Sequence, residues 1–115
     1  MKLYKFETSQ LTGHALDWAV AKCEGIDYGK DDVRFRGAYA RKYSTDWAQA
    51  GVIIEREKIS LKHHRENSYD LYAGKWEAGH PECDHETGDT PLIAAMRCYV
   101  ASKLGDEVEL PEELT

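Results

Sequence analysis

The chain has 115 residues, 42% hydrophobic and 31% charged, with a net charge of −6. That is enough apolar side chain for one modest core; it excludes a disordered chain and leaves too little for two independent domains, so residues 1–115 are read as one domain. No apolar run follows Met1-Lys2-Leu3-Tyr4-Lys5-Phe6-Glu7, which excludes a signal peptide or membrane span as an expectation and places the protein in the cytoplasm.

In chain order, the first predicted element is a helix from about Ser9–Thr12 to Gly25. Thr12 is its N-cap, Leu11 and Leu16 form a hydrophobic staple, and Gly25 closes it. Leu16, Val20 and Cys23 recur at helical spacing, with Ala15 and Trp18 widening the buried stripe. Val33 and Phe35 alternate with Arg34 and Arg36, as in a short half-buried strand. Ser44-Thr45-Asp46-Trp47 reads as a helix start capped by Ser44 or Thr45, with one or two turns ending at Gly51. Residues 52–62 are expected to form a strand, because Ile53, Ile59 and Leu61 share one parity; a helix is the alternative. Tyr69–Ala78 would be its hairpin partner. Residues 79–89 lack an apolar period and read as a loop. Thr90 caps a second long helix with Pro91 at its first position, Ile93, Met96, Val100 and Leu104 as its buried stripe, and Gly105 at its end. Residues 106–115 read as an acidic, solvated extension. The expected fold class is α+β, with two amphipathic helices packed on a small antiparallel sheet.

Charge is distributed unevenly: −1 over residues 1–29, +4 over 30–65 and −9 over 66–115. Such a chain is excluded as a bulk nucleic-acid binder, which needs a broad basic surface, but a small anion needs only two or three convergent donors. The odd, scattered Cys23, Cys83 and Cys98 make no disulfide framework; Cys23 and Cys98 read as small buried hydrophobes.

Three blocks resemble the NinX-like family of small lambdoid-phage accessory proteins. They are Leu16-Asp17-Trp18-Ala19-Val20-Ala21-Lys22, then Ser44-Thr45-Asp46-Trp47-Ala48-Gln49 running into Ile53-Ile54-Glu55-Arg56-Glu57, and Thr90-Pro91-Leu92-Ile93-Ala94-Ala95-Met96-Arg97. The family pattern reads Gly-Gly-Pro where this chain has Ala50-Gly51-Val52. The resemblance implies a phage or prophage origin and expression in a bacterial cytoplasm; it carries no activity with it. By analogy, small phage proteins of this kind disarm host systems, in some cases by sequestering a nucleotide signal.

The richest constellation is the basic, aromatic middle. Arg34, Arg36, Arg41, Lys42 and Arg56 lie among Phe35, Tyr39, Tyr43 and Trp47, the mixture that forks onto phosphate oxygens and stacks a base. Ser44, Thr45 and Asp46 at a helix start, with Gly51, would add backbone N–H donors, and Thr90 starts a second helix. The candidate ligand-binding set is therefore Arg34, Arg36, Tyr39, Arg41, Tyr43, Ser44, Thr45, Asp46, Trp47, Gly51, Arg56 and Thr90. The competing reading puts the arginines on a wet strand face and the aromatics in the core. Asp17 reads as a hydrogen-bonding helix residue and Arg97 as a packing or ion-pairing one. His80, Cys83 and His85, with His63 or His64, are weak metal candidates whose spacing matches no standard finger. No nucleophile, metal or phosphate-loop motif accompanies Glu55 and Glu57, so no enzyme and no cofactor are expected. The leading expectation is non-enzymatic binding of a small, nucleotide-like anion. The second is a protein-partner module using the acidic surface against a host protein. A homo-oligomer is compatible with either.

Overall fold

A computed structural model describes residues 3–25, 42–66, 69 and 71–111. Its elements are β1 (Leu3–Glu7), a 3-10 turn (Thr8–Gln10), α1 (Gly13–Cys23), α2 (Trp47–Glu57), β2 (Ser60–His63), β3 (Trp76–His80), β4 (Cys83–Gly88), α3 (Pro91–Leu104) and β5 (Glu107–Pro111). β2, β3 and β4 form one antiparallel sheet in that order, and β1 pairs antiparallel with β5 in a second. The α+β class is as expected, built on two small sheets and three helices among the described residues.

α3 is the centre of the core. Its first turn is fixed locally: Thr90 Oγ1 accepts the Ile93 N–H at 3.1 Å and Pro91 supplies a preset φ. Met96 and Val100 are fully buried as the helical period requires, but so are Ala94, Ala95 and Cys98, while Ile93 and Leu104 are only half-buried. The difference arises because α3 is covered on two sides, by β3 and β4 and by α1. A helix buried nearly all round carries no single stripe. At the sheet, Gly88 is required by space: a Cβ there would lie 2.8 Å from the Ala94 nitrogen and 2.8 Å from Ile93 Cγ2.

α1 follows its sequence signals. Thr12 holds the N-cap position in extended backbone but makes no side-chain capping hydrogen bond, Leu11 and Leu16 are both buried, and Gly25 follows the end at φ +84°. Each large side chain such as Leu16 or Val20 contributes about 1.5–3 kcal/mol by leaving water.

Five expectations are corrected. Residues 52–57 are helix, since α2 runs through Gly51 to Glu57, and only Ser60–His63 is strand. Ile53 and Ile59, whose shared parity suggested one strand, lie on opposite sides of the helix-to-strand junction, and both are buried. The cap of α2 is Asp46, not Ser44 or Thr45. The 79–89 segment is mostly a hairpin: β3 and β4 pair from Trp76↔Gly88 to His80↔Cys83 across a turn at Pro81-Glu82. The strand after β2 begins only at Trp76, not Tyr69. Residues 107–111 are no solvated tail but a strand registered on β1, burying Val108 and Leu110. The strand expected at Val33–Phe35 falls outside the described residues.

Candidate functional site

The turn that leads into α2 is braced from several directions. Asp17, buried in α1, accepts the Ser44 N–H at 2.7 Å. Asp46 accepts the Ala48 N–H at 2.9 Å and the Gln49 side-chain N–H at 3.1 Å. Gln49 in turn accepts the Lys42 N–H at 3.0 Å, and the Lys42 carbonyl accepts the Thr45 and Asp46 N–H groups. Burial pushes the Asp17 carboxyl above its ordinary value, opposed by hydrogen bonding from Ser44. On this frame Trp47 is 54% exposed, an unusual position for the largest apolar side chain.

The sequence candidates separate sharply. Arg34, Arg36, Tyr39 and Arg41 lie outside the described residues. Tyr43 and Ser44 are buried beneath the turn, whereas Lys42, Thr45 and Trp47 reach its surface. Asp46 places its carboxylate on the first turn of α2, so the free N–H groups expected there as anion donors are partly occupied by a negative charge of the protein's own. Gly51 is half-buried within the helix, one turn beyond Trp47. Thr90 is committed to capping α3.

Arg56 is engaged by contacts within the fold. Its guanidinium grips Glu24 through two bonds of 3.2 and 2.6 Å and also reaches Tyr99 Oη at 3.1 Å and Glu57 at 3.1 Å. Tyr99 Oη donates to the same Glu24. Burial alone would raise the Glu24 carboxyl, yet the hydrogen bonds from Arg56 and Tyr99 hold it below its usual range. Glu57 is likewise lowered, first by the hydrogen bond from His80 and then by Arg56. The result is a polar cross-brace tying the end of α1 to α2 and α3.

The weak metal candidates do not assemble. His80 Nδ1 accepts the Glu82 N–H at 2.9 Å, which makes Nε2 the protonated nitrogen that donates to Glu57 at 3.0 Å. Both ring nitrogens are thus used. His85 Nε2 meets Tyr72 Oη at 3.2 Å, and His64 Nε2 meets Glu77 at 2.7 Å. Among the described residues no group of three or more His, Cys, Asp or Glu side chains could hold a metal ion. Arg97 donates to the Leu11 carbonyl at 2.8 Å and the Thr87 carbonyl at 2.7 Å, riveting the start of α1 to β4.

The acidic surface expected from the sequence includes a concave face. One hollow of about 450 Å³ is lined by Glu7, Ser9, Glu86, Asp106 and Glu107. Another of about 430 Å³ shares Glu86 and Asp106 with it and adds Glu82, Cys83, His85 and Ala101. Burial raises the Glu86 carboxyl, and Asp106 adds to the rise. The −9 charge of the second half was the available signal; convergence of β1, β4 and β5 on one hollow was not legible.

The chain belongs to the family described as Bacteriophage P22, NinX, whose family model matches residues 7–103. No curated protein matches it. No described helix is long and apolar enough to cross a membrane.

Proposed function

We propose that this phage protein acts in the bacterial cytoplasm as a non-enzymatic binding protein. Its ligand is a small, nucleotide-like anion, held at the Trp47 end of α2 so as to sequester a host-defence signal. The observation that carries this reading is the solvent-facing indole on a turn braced by Asp17, Asp46 and Gln49. A fixed aromatic face binds a planar group with little ordering cost, and Lys42, exposed at the start of the same turn, supplies a cation. Because Asp46 occupies the helix end, the anion would be met by Lys42, not by the helix N-terminus.

The test is direct. Protein purified natively from phage-infected cells is denatured, and the released small molecules are identified by mass spectrometry. A stoichiometric nucleotide-like compound is expected; a clean protein whose melting temperature is also unmoved by a nucleotide panel would refute the reading, since a ligand at about 100 times its Kd adds about 2.7 kcal/mol.

A second reading is favoured by one specific observation, the concave acidic face of Glu7, Glu82, Glu86, Asp106 and Glu107. Such a surface suits a basic segment of a host protein. A pull-down unchanged by Glu86→Gln with Asp106→Asn would remove it.

A further inference from the structure

The three cysteines are free thiols, and two of them meet. Cys83 opens β4, and Cys98 lies midway along α3, the helix that packs on that strand. The Cys98 thiol donates a hydrogen bond to the Cys83 sulfur, so the two are in direct contact. Their surroundings differ. Cys98 is fully buried, whereas Cys83 is half-buried at the edge of the core and lines the hollow of about 430 Å³. Ala101, one turn beyond Cys98 on the same face of α3, lines that hollow as well, so the sulfur contact lies just beneath its wall. Cys23 stands elsewhere, among Lys22, Glu24, Glu57 and Lys103. Burial, and then the bond to Cys83, hold Cys98 in its thiol form. A thiol aimed at a neighbouring sulfur favours the thiolate of that neighbour, which makes Cys83 the nucleophile of the pair.

We propose that Cys83 and Cys98 form a peroxide-responsive pair, in which Cys83 is oxidised from the hollow and Cys98 resolves it into a reversible disulfide between β4 and α3. This role is independent of the ligand reading at Trp47. The oxidant is an uncharged peroxide, because Glu82, Glu86 and Asp106 line the same hollow and repel anions. The Cys83 thiolate attacks one peroxide oxygen, the O–O bond breaks, and the departing hydroxide takes up the proton Cys83 gave, leaving as water. Cys83 is then a sulfenic acid. The Cys98 sulfur attacks the Cys83 sulfur, the S–O bond breaks, and the leaving hydroxide carries off the Cys98 proton as a second water. Both thiols are oxidised to one disulfide while the peroxide is reduced to water. Sulfurs already in contact reach bonding distance largely by side-chain rotation, and Cys83 adjoins the Pro81-Glu82 turn, where the strand end can adjust.

Native protein and the variants Cys23→Ser, Cys83→Ser and Cys98→Ala are treated with hydrogen peroxide, the remaining thiols are alkylated, and the products are read by intact mass and non-reducing peptide mapping. Native protein and Cys23→Ser are expected to lose two hydrogens and to yield a Cys83–Cys98 cross-link that a neutral dithiol reverses. Cys98→Ala is expected to stop at a Cys83 sulfenic acid, captured by a dimedone probe about tenfold or more above the native protein. Cys83→Ser is expected to give no intramolecular cross-link. Circular dichroism checks that each variant folds, and the native chain alone suffices for refutation. A disulfide that involves Cys23, or oxidation of Cys83 onward to the sulfinic acid with no link to Cys98, overturns the proposal. So does a Cys83 left unmodified while free cysteine in the same solution is consumed.

Discussion

Replacing Asp17 tests the frame beneath Trp47. Asp17 is 3% exposed and its Oδ1 lies 2.7 Å from the Ser44 nitrogen, so Asp17→Ala leaves a buried N–H without its acceptor. An orphaned buried donor costs about 1–3 kcal/mol. Some of that is offset, because burial already disfavours the carboxylate, as its raised pKa records. A net loss of about 2 kcal/mol is expected, or about 8 °C in melting temperature for a chain of this size. Asp17→Asn keeps an oxygen in place and carries no charge, so it should lose less than about 1 kcal/mol. The pH dependence fixes the sign. Asp17 takes up its proton at higher pH in the folded protein than in the unfolded chain, so this one group adds stability as pH falls from neutrality towards its ordinary value of 3.8. The Asn variant cannot make that gain and should look worst at the acid end. Urea unfolding followed by far-ultraviolet circular dichroism at several pH values measures both effects. Asp17→Ala within about 0.5 kcal/mol of the native protein would show that the Ser44 contact holds nothing together.

Arg56→Met removes the clamp on Glu24; with the Arg56 side chain 44% exposed the cost should be small, about 0.5–1 kcal/mol in urea unfolding, and nucleotide affinity should not change. Glu24 and Glu57 have folded pKa values below the ordinary 4.5, so their contribution is present above that value and is lost as pH falls through the folded pKa; melting curves of Arg56→Met and Glu57→Gln should show a shallower acid limb than the native protein. Gly88→Ala forces a methyl against the Ala94 nitrogen and Ile93 Cγ2 and should cost about 1–3 kcal/mol, visible as a lowered urea midpoint. Leu110→Ala empties a fully buried site and should cost about 2–5 kcal/mol, whereas a solvated tail would register no change.

The parts of the fold legible in the sequence are those fixed by local chemistry. Gly25, Thr90-Pro91 and Gly105 mark the ends of α1 and α3 because capping and left-handed backbone need particular residues. α2 was misread because its end carries no such mark: Lys58, at φ 57°, takes the left-handed position that glycine usually fills. β4 was hidden because its sequence, Cys-Asp-His-Glu-Thr-Gly, offers no large apolar alternation; pairing with β3 and packing under α3 make it a strand. β5 does alternate, with Val108 and Leu110 inward and Glu107 and Glu109 outward, but acid content obscured the period. At the candidate site, Trp47 was legible as a residue type. Its exposure, the frame under it and the diversion of Arg56 to Glu24 depend on contacts between residues distant in sequence.

The antiparallel register of Leu3 with Pro111 has a bearing on how the chain is made. β1 must wait for β5, the described strand farthest from it in sequence, so the helical centre can assemble while β1 is still unmatched. That late pairing carries the highest loop-closure cost in the molecule and should be the slowest local event in its biogenesis. It also sets Leu3 beside Pro111, so that the first and last described strands are direct neighbours.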